Sequence, residues 1–225
     1  MDGIIVIGGP QHGIVKPEEP APRVPVVYIG LEGPEDSACS VTVDNYRGGI
    51  MGAEHLFGLE REKILYVTKT VRTKDEEDRL EGFLDATRAH EFYASRYEVI
   101  ETGETPRGGY DSIISHMGSG FGASDKKRGR TSGRASGEVS PEACNQPAER
   151  RSPVSIFAED DLIAIGIIRA LRDGGYAVPA DAAVLGFDDL LISAYMEPRL
   201  STLNQPRLEM GMSGARCLLD LIAEK

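Results

Sequence analysis

Two pairs of adjacent acids, Asp160 with Asp161 and Asp188 with Asp189, have the type and spacing to do chemistry. Each pair follows a short apolar run, Val154 to Ala158 for the first and Ala183 to Phe187 for the second. A carboxylate just past the carboxyl end of a buried parallel strand stands where open α/β sheets bind ligands. Asp188 could accept hydrogen bonds from two hydroxyls of a small polar ligand, or it could cap the next turn. Asp189 reads as turn support, and Asp161 as the N-cap of a helix over Leu162 to Leu171. Arg79 adds a rigid fork of donors suited to paired hydroxyls or a carboxylate; otherwise it pairs with Asp75 or Glu76 along its own helix. Gln205 could bond a ligand or the nearby backbone, and Asp44 reads as a helix cap.

Chemistry beyond binding finds little support. The four acids could hold Mg²⁺ for phosphoryl transfer, but no phosphate-cradling G-x-x-x-x-G-K-[ST] loop accompanies them, and G-x-S-x-G is missing. His12, His55, His90 and His116 have no metal-ligand spacing, nor do Cys39, Cys144 and Cys217. No set of acid, base and nucleophile emerges, so the expectation is a binding protein, not an enzyme, with neither metal nor cofactor.

The elements that must position these groups follow from apolar periodicity. Residues 3–7, 25–29 and 41–43 are short β-branched runs, read as buried parallel strands. Asp44 opens a helix through Leu59, with Ile50, Ala53, Leu56 and Phe57 on one face. Strand and helix then alternate: Ile64 to Val67, Glu76 to His90, Tyr97 to Ile100, Gly108 to Met117, Val154 to Ala158, Asp161 to Gly174, and Ala183 to Phe187. That alternation defines an α/β class with parallel sheets. Residues 118–152 break it, with six glycines and seven Lys/Arg against four Asp/Glu, and read as a disordered insertion.

A net charge of −11 and a pI near 4.9 argue against this chain gripping nucleic acid by itself. An odd number of cysteines suggests scattered thiols in a reducing compartment. No apolar run approaches the roughly 20 residues that span a bilayer. The start has no basic segment of the secretory kind, so, taking Met1 as the true start, the expected location is cytoplasmic.

Four stretches, in order, resemble the LacI/GalR family of bacterial transcription regulators. VDNYRGGIMGAEHLFGLEREKILYV (43–67) is similar to D-N-x-x-G-x-x-x-A-x-x-H-L-x-x-L-G-x-x-x-I, with Glu60 where the family usually has Gly. DRLEGF (78–83) resembles R-x-x-G-[FW]. FAEDDLIAIG and VPADAAVLGFDD resemble [AC]-x-N-D-x-[ML]-A-x-G and V-P-x-D-[IV]-x-V-x-G-[FY]-D-[DN], with Asp160 where Asn is common. LSTLNQP (200–206) resembles the L-[ST]-T-x-x-Q-P crossover.

The resemblance implies a two-lobed, periplasmic-binding-protein-like type I fold with Rossmann-like sheets. It implies one lobe from residues 1–60 plus 204–225 and another from 61–203. On that resemblance the first lobe would be incomplete, lacking two strand–helix units and the helix-turn-helix headpiece, and the chain would be truncated at both ends. The exposed edge beside Gly3 to Ile7 should then make this segment alone poorly soluble or partly folded. A small-molecule effector, a sugar or related metabolite, would bind between the lobes through Arg79, Asp160, Asp188 and Gln205. It would shift operator affinity through the missing headpiece, in a homodimer without membrane contact. Glu104 stands where sugar-sensing members often have an aromatic ring. A sugar-binding receptor of a transport system shares the fold, and an Mg-dependent enzyme on phosphorylated sugars is the remaining alternative.

Overall fold

The computed structural model describes residues 2–8, 24–30, 33, 39–118 and 152–224. The insertion expected over 118–152 therefore lies almost wholly outside the described residues. Among the described residues thirteen regular elements follow one another: β1 (Ile4–Ile7), β2 (Val26–Ile29), β3 (Cys39–Val41), α1 (Asn45–Phe57), β4 (Lys63–Lys69), α2 (Lys74–Ala89), β5 (Tyr97–Thr102), α3 (Pro106–Gly118), β6 (Val154–Ala158), α4 (Asp161–Asp173), β7 (Ala182–Asp188), β8 (Ser201–Asn204) and α5 (Arg207–Ala223). A 3₁₀ turn, Leu191–Tyr195, sits between β7 and β8.

The strands form two sheets, β1-β2-β3 and β5-β4-β6-β7-β8, and every pairing is parallel. This is the α/β class with parallel sheets that the alternation requires. Apolar runs in β4, β6 and β7 are buried on both faces, as parallel strands between helix layers must be. Ile64, Tyr66, Phe157, Leu185 and Phe187 point to one face, with Ala53, Leu56 and Phe83 from α1 and α2. Leu65, Val67, Ile156 and Val184 point to the other, with Ile113, Ile163, Ile167 and Leu171 from α3 and α4.

Each helix pair crosses through reciprocal glycines. A β-carbon on Gly49 would lie 2.0 Å from the Arg79 carbonyl oxygen, and one on Gly82 would lie 1.9 Å from that of Tyr46. On the opposite face the same reciprocity joins Gly109 to the Ile163 carbonyl and Gly166 to that of Pro106, at 2.5 and 1.8 Å. Backbone meets backbone at both crossings, so no side chain fits there.

Several expectations from sequence need correction. α1 packs on α2 and the five-stranded sheet, where residues 1–60 were assigned to the first lobe; its Ala53 and Leu56 join Tyr66 and Phe157 in one core. The third strand lies at Cys39–Val41, two residues earlier than 41–43. The crossover stretch contains a strand, β8, which pairs with β7 and closes the second sheet at Asn204. α5 then returns to the three-stranded sheet. Cys39 and Cys217 are not scattered thiols: they are joined as a disulfide between β3 and α5. Glu60, standing where the resembling family has Gly, adopts φ 51°, the left-handed turn geometry that Gly takes without strain.

Candidate functional site

The candidate residues collect at the carboxyl ends of β4, β6, β7 and β8 and on α2. α2 is started by Thr73, whose hydroxyl accepts from the Glu76 amide while Glu76 returns a bond to the Thr73 amide. That capping box fixes the helix so that Arg79 points under the sheet end, almost fully buried. Its guanidinium donates to the Glu159 carbonyl oxygen and, at 2.9 Å, to Asn45 Oδ1. It also lies 3.6 Å from the centre of the Phe187 ring, a cation–π contact. Neither Asp75 nor Glu76 is its hydrogen-bond partner, and Arg79 Nε has none among the described residues.

Asp160, and not Asp161, is the N-cap of α4: its Oδ1 accepts from the Ile163 amide at 2.8 Å. Asp160 Oδ2 is 3.1 Å from Lys69 Nζ, which also meets Glu76 Oε1 at 2.6 Å. Burial disfavours the charge on Lys69, but Asp160 and Glu76 outweigh it and raise the ammonium above its ordinary value. The whole side chain of Asp161 is spent on the β7–β8 connection. It accepts from the Leu190 amide, the Ser193 hydroxyl and the Thr202 hydroxyl at 2.8, 2.6 and 2.6 Å. Gly186 makes room for it, since a β-carbon there would be 2.2 Å from Asp161 Oδ1.

Asp188 ends β7 with φ 114°, and Asp189 follows with φ 52°. Both lie in the left-handed half of backbone space, and strain held at a strand end marks a position that the surroundings over-determine. Asp188 Oδ1 accepts from Gln205 Nε2, and its carbonyl oxygen accepts from Arg207. Burial raises the Asp188 carboxyl to about 6; Arg79 opposes that rise, while Asp160 and Asp161 add to it. Gln205 is thus joined directly to Asp188, and Arg79 and Asp160 act on it through charge. Asp44 caps α1 through the Arg47 amide at 2.8 Å.

Lys69, Asn45 and Glu159 belong to this cluster and were not singled out from sequence. Glu159 is fully buried, accepting from Thr68 Oγ1 at 2.6 Å and from the Lys69 amide at 2.7 Å. Burial pushes its carboxyl up to about 7 against those two bonds. Its other oxygen has no partner among the described residues. Asn45 was visible in the D-N dipeptide, but its service to Arg79 depends on the helix crossing.

The arrangement offers a cationic fork, a part-neutralised carboxylate and an amide around one strand end, a set suited to hydroxyls of a small polar ligand. Among the described residues no group of three His, Cys, Asp or Glu could hold a metal ion. Among the described residues no helix is long and apolar enough to cross a membrane. A cavity of about 400 Å³ opens beside the crossovers, lined by Asp44, Arg47, Met51, Phe187 and Met210 among others. None of the four candidate ligand residues lines it, and only the Phe187 ring is shared.

The chain belongs to the periplasmic binding protein-like domain family, whose sequence pattern matches residues 53–225. Within it, the similarity is to the effector-binding core of LacI/GalR-type transcription regulators. The arabinose metabolism transcriptional repressor of Geobacillus stearothermophilus is 28% identical over 204 residues, 90% of this chain and 48% of that protein. The transcriptional regulator DegA of Bacillus subtilis is 27% identical over 214 residues, 94% of this chain and 54% of that protein. Among solved structures, a LacI family regulator from Enterococcus faecalis with bound ribose is 26% identical, with a TM-score of 0.66 over 89% of this chain and 61% of that one. CcpA of Lactococcus lactis shares the fold at a TM-score of 0.73 and 20% identity, covering 100% of this chain and 71% of that one. The chain spans about half the length of the curated relatives it matches.

Proposed function

We propose that this chain senses a small polyhydroxylated metabolite, a sugar or a close relative, at the strand ends around Asp188. In this reading it is the effector-binding part of a cytoplasmic LacI-type regulator and not an enzyme. Ligand would bind between the lobes and change operator affinity through a DNA-binding segment outside these 225 residues. A net charge of −11 suits that division of labour, since an acidic domain repels phosphate. The regulator would work as a homodimer, for which the exposed Leu191, Ile192 and Tyr195 offer apolar surface.

One observation carries the reading. Arg79 is anchored by Asn45, the Glu159 carbonyl and the Phe187 ring, and its charge favours the ionised form of Asp188 at the neighbouring strand end, a fixed cation near a fixed acceptor. Asp160 would contribute through its hold on Lys69, and Gln205 through Asp188. Calorimetric titration with pentoses and hexoses, ribose and arabinose first, tests it. The expected result is saturable binding that Arg79→Ala weakens by roughly 30-fold or more, the lower bound for truncating one member of a buried charged pair. Equal affinity in the variant would remove Arg79 from the site. No binding of any sugar would redirect the search to other metabolites with paired hydroxyls or a carboxylate.

A further inference from the structure

Cys39 and Cys217 stand 178 residues apart in sequence and 6.8 Å apart at their α-carbons, joined between β3 and α5. We infer that this bond is a redox-cleavable tie that holds α5 on the three-stranded sheet. Opening it frees Gln205 and Arg207 from the strand end at Asp188.

The apolar packing that would otherwise hold α5 is thin. Among the described residues the buried members of that lobe's core cluster are Val27, Ile29 and Met210, with Val41, Val43, Leu218 and Leu221 partly buried against them. Of the 17 residues of α5, Met210 and Gly214 alone are buried. Among the described residues α5 is the one helix packed on this sheet, and Ile7, which shares the α5 face with its neighbour Ile29, is still 75% exposed. α5 also starts at Pro206 without a side-chain cap. A helix attached through so little apolar area depends heavily on a covalent link.

The link is reachable and its position is consequential. Both cysteines are half-buried, so a small thiol reagent can approach them. At the other end of α5, Arg207 donates to the carbonyl oxygens of Asp188 and Asp189, and Gln205 donates to the Asp188 carboxylate. Any swing of α5 therefore pulls on the residues that fix Asp188. The reaction consumes one dithiol. Its thiolate attacks one sulfur of the pair and the S–S bond breaks to leave a mixed disulfide and one cysteine thiolate. The dithiol's second thiol then closes its own ring, releasing the other cysteine. The products are two cysteine thiols and one oxidised cyclic disulfide, with two electrons and two protons passing to the protein.

The tie does not depend on what binds at Asp188; only its consequence for ligand affinity rests on the function proposed above. The test therefore uses no ligand. Peptide mapping of the full 225-residue chain, air-oxidised and unreduced, should give a linked fragment containing Cys39 and Cys217 that dithiothreitol abolishes. Hydrogen exchange should then quicken on reduction by roughly 30-fold or more over residues 201–223, the factor matching the lower end of stabilisation by a cross-link. The amides of β4 and β6 should not change, and reoxidation should restore protection. Cys217→Ser in oxidant should exchange as the reduced parent does. If that variant does not fold, reduction and reoxidation of the parent carry the test. Three free thiols in the oxidised sample, a link from either residue to Cys144, unchanged α5 exchange, or loss of β4 and β6 protection together with α5 would each overturn the inference.

Discussion

Among the described residues, the five-stranded sheet is packed on both faces by helix pairs, whereas the three-stranded sheet carries one helix, held by three buried apolar side chains and a disulfide. The two halves thus solve the same problem by different means, one by burying apolar area and the other by shortening the unfolded chain's freedom. The candidate ligand residues follow that division. Arg79, Asp160 and Asp188 are rooted in the thick half, while Gln205 and Arg207 lead into the thin one. The rigid side supplies geometry, and the lightly held side supplies whatever can move.

The sharpest way to break this contrast is Phe157→Ala. Phe157 is fully buried and contacts the rings of Tyr66 and Phe83, so its truncation should cost about 3–5 kcal/mol of global stability in a urea titration. A loss below about 1 kcal/mol would mean that the thick half is not where stability resides. Met210→Ala is the matching cut in the thin half, expected to cost about 2 kcal/mol. Its effect should appear as faster amide exchange over 207–223 with the global midpoint nearly unchanged. A midpoint shift as large as that of Phe157→Ala would show the two halves unfolding as one unit.

Glu159→Gln should have almost no effect near pH 5 and carries a pH signature above it. The native carboxyl is raised from an ordinary 4.5 to about 7, so between those values the folded state holds the proton more tightly than the unfolded state. That contribution is fully present below 4.5 and is lost as pH rises through 7. Glutamine keeps an acceptor for Thr68 and the Lys69 amide. The variant should therefore match the parent near pH 5 and be the more stable near pH 8, by up to about 3 kcal/mol for a shift of this size, with a correspondingly higher melting temperature. Parallel curves across that range would remove Glu159 as a titrating group.

Sequence periodicity is enough to locate the central strands and the helices of the thick half, because β4, β6 and β7 are continuous apolar runs and its helices carry one apolar stripe. It gives a helix a face without naming the partner, which is why α1 was assigned to the other lobe. Only the backbone approach at Gly49 and Gly82 decides that pairing. β8 was missed because Ser-Thr-Leu-Asn has no apolar run; it is an edge strand fixed by β7 and by Thr202 reaching Asp161. The same distance effect reversed the two acids at α4. Either could cap the helix, but the donors that claim Asp161 lie 29 to 41 residues away. Arg79, Asp188 and Gln205 can be picked out as candidates from sequence because the motifs holding them are local. Lys69 and Glu159 were not, since their importance comes from burial, which pairs them with groups on neighbouring strands. Pairing of Cys39 with Cys217 has no spacing signal at all.

The reciprocal glycine crossing of α1 and α2 sets a rule for redesigning this protein. Arg79 owes its location partly to its own carbonyl oxygen, which nestles where a β-carbon of residue 49 would otherwise sit. A library built to alter ligand preference would naturally randomise Arg79, Asp160, Asp188 and their neighbours. Positions 49 and 82 should be kept out of that library although neither is among the candidate ligand residues, because even alanine there would lever α2 outward and shift the scaffold under every variant being compared. What the screen must conserve at those two places is empty space.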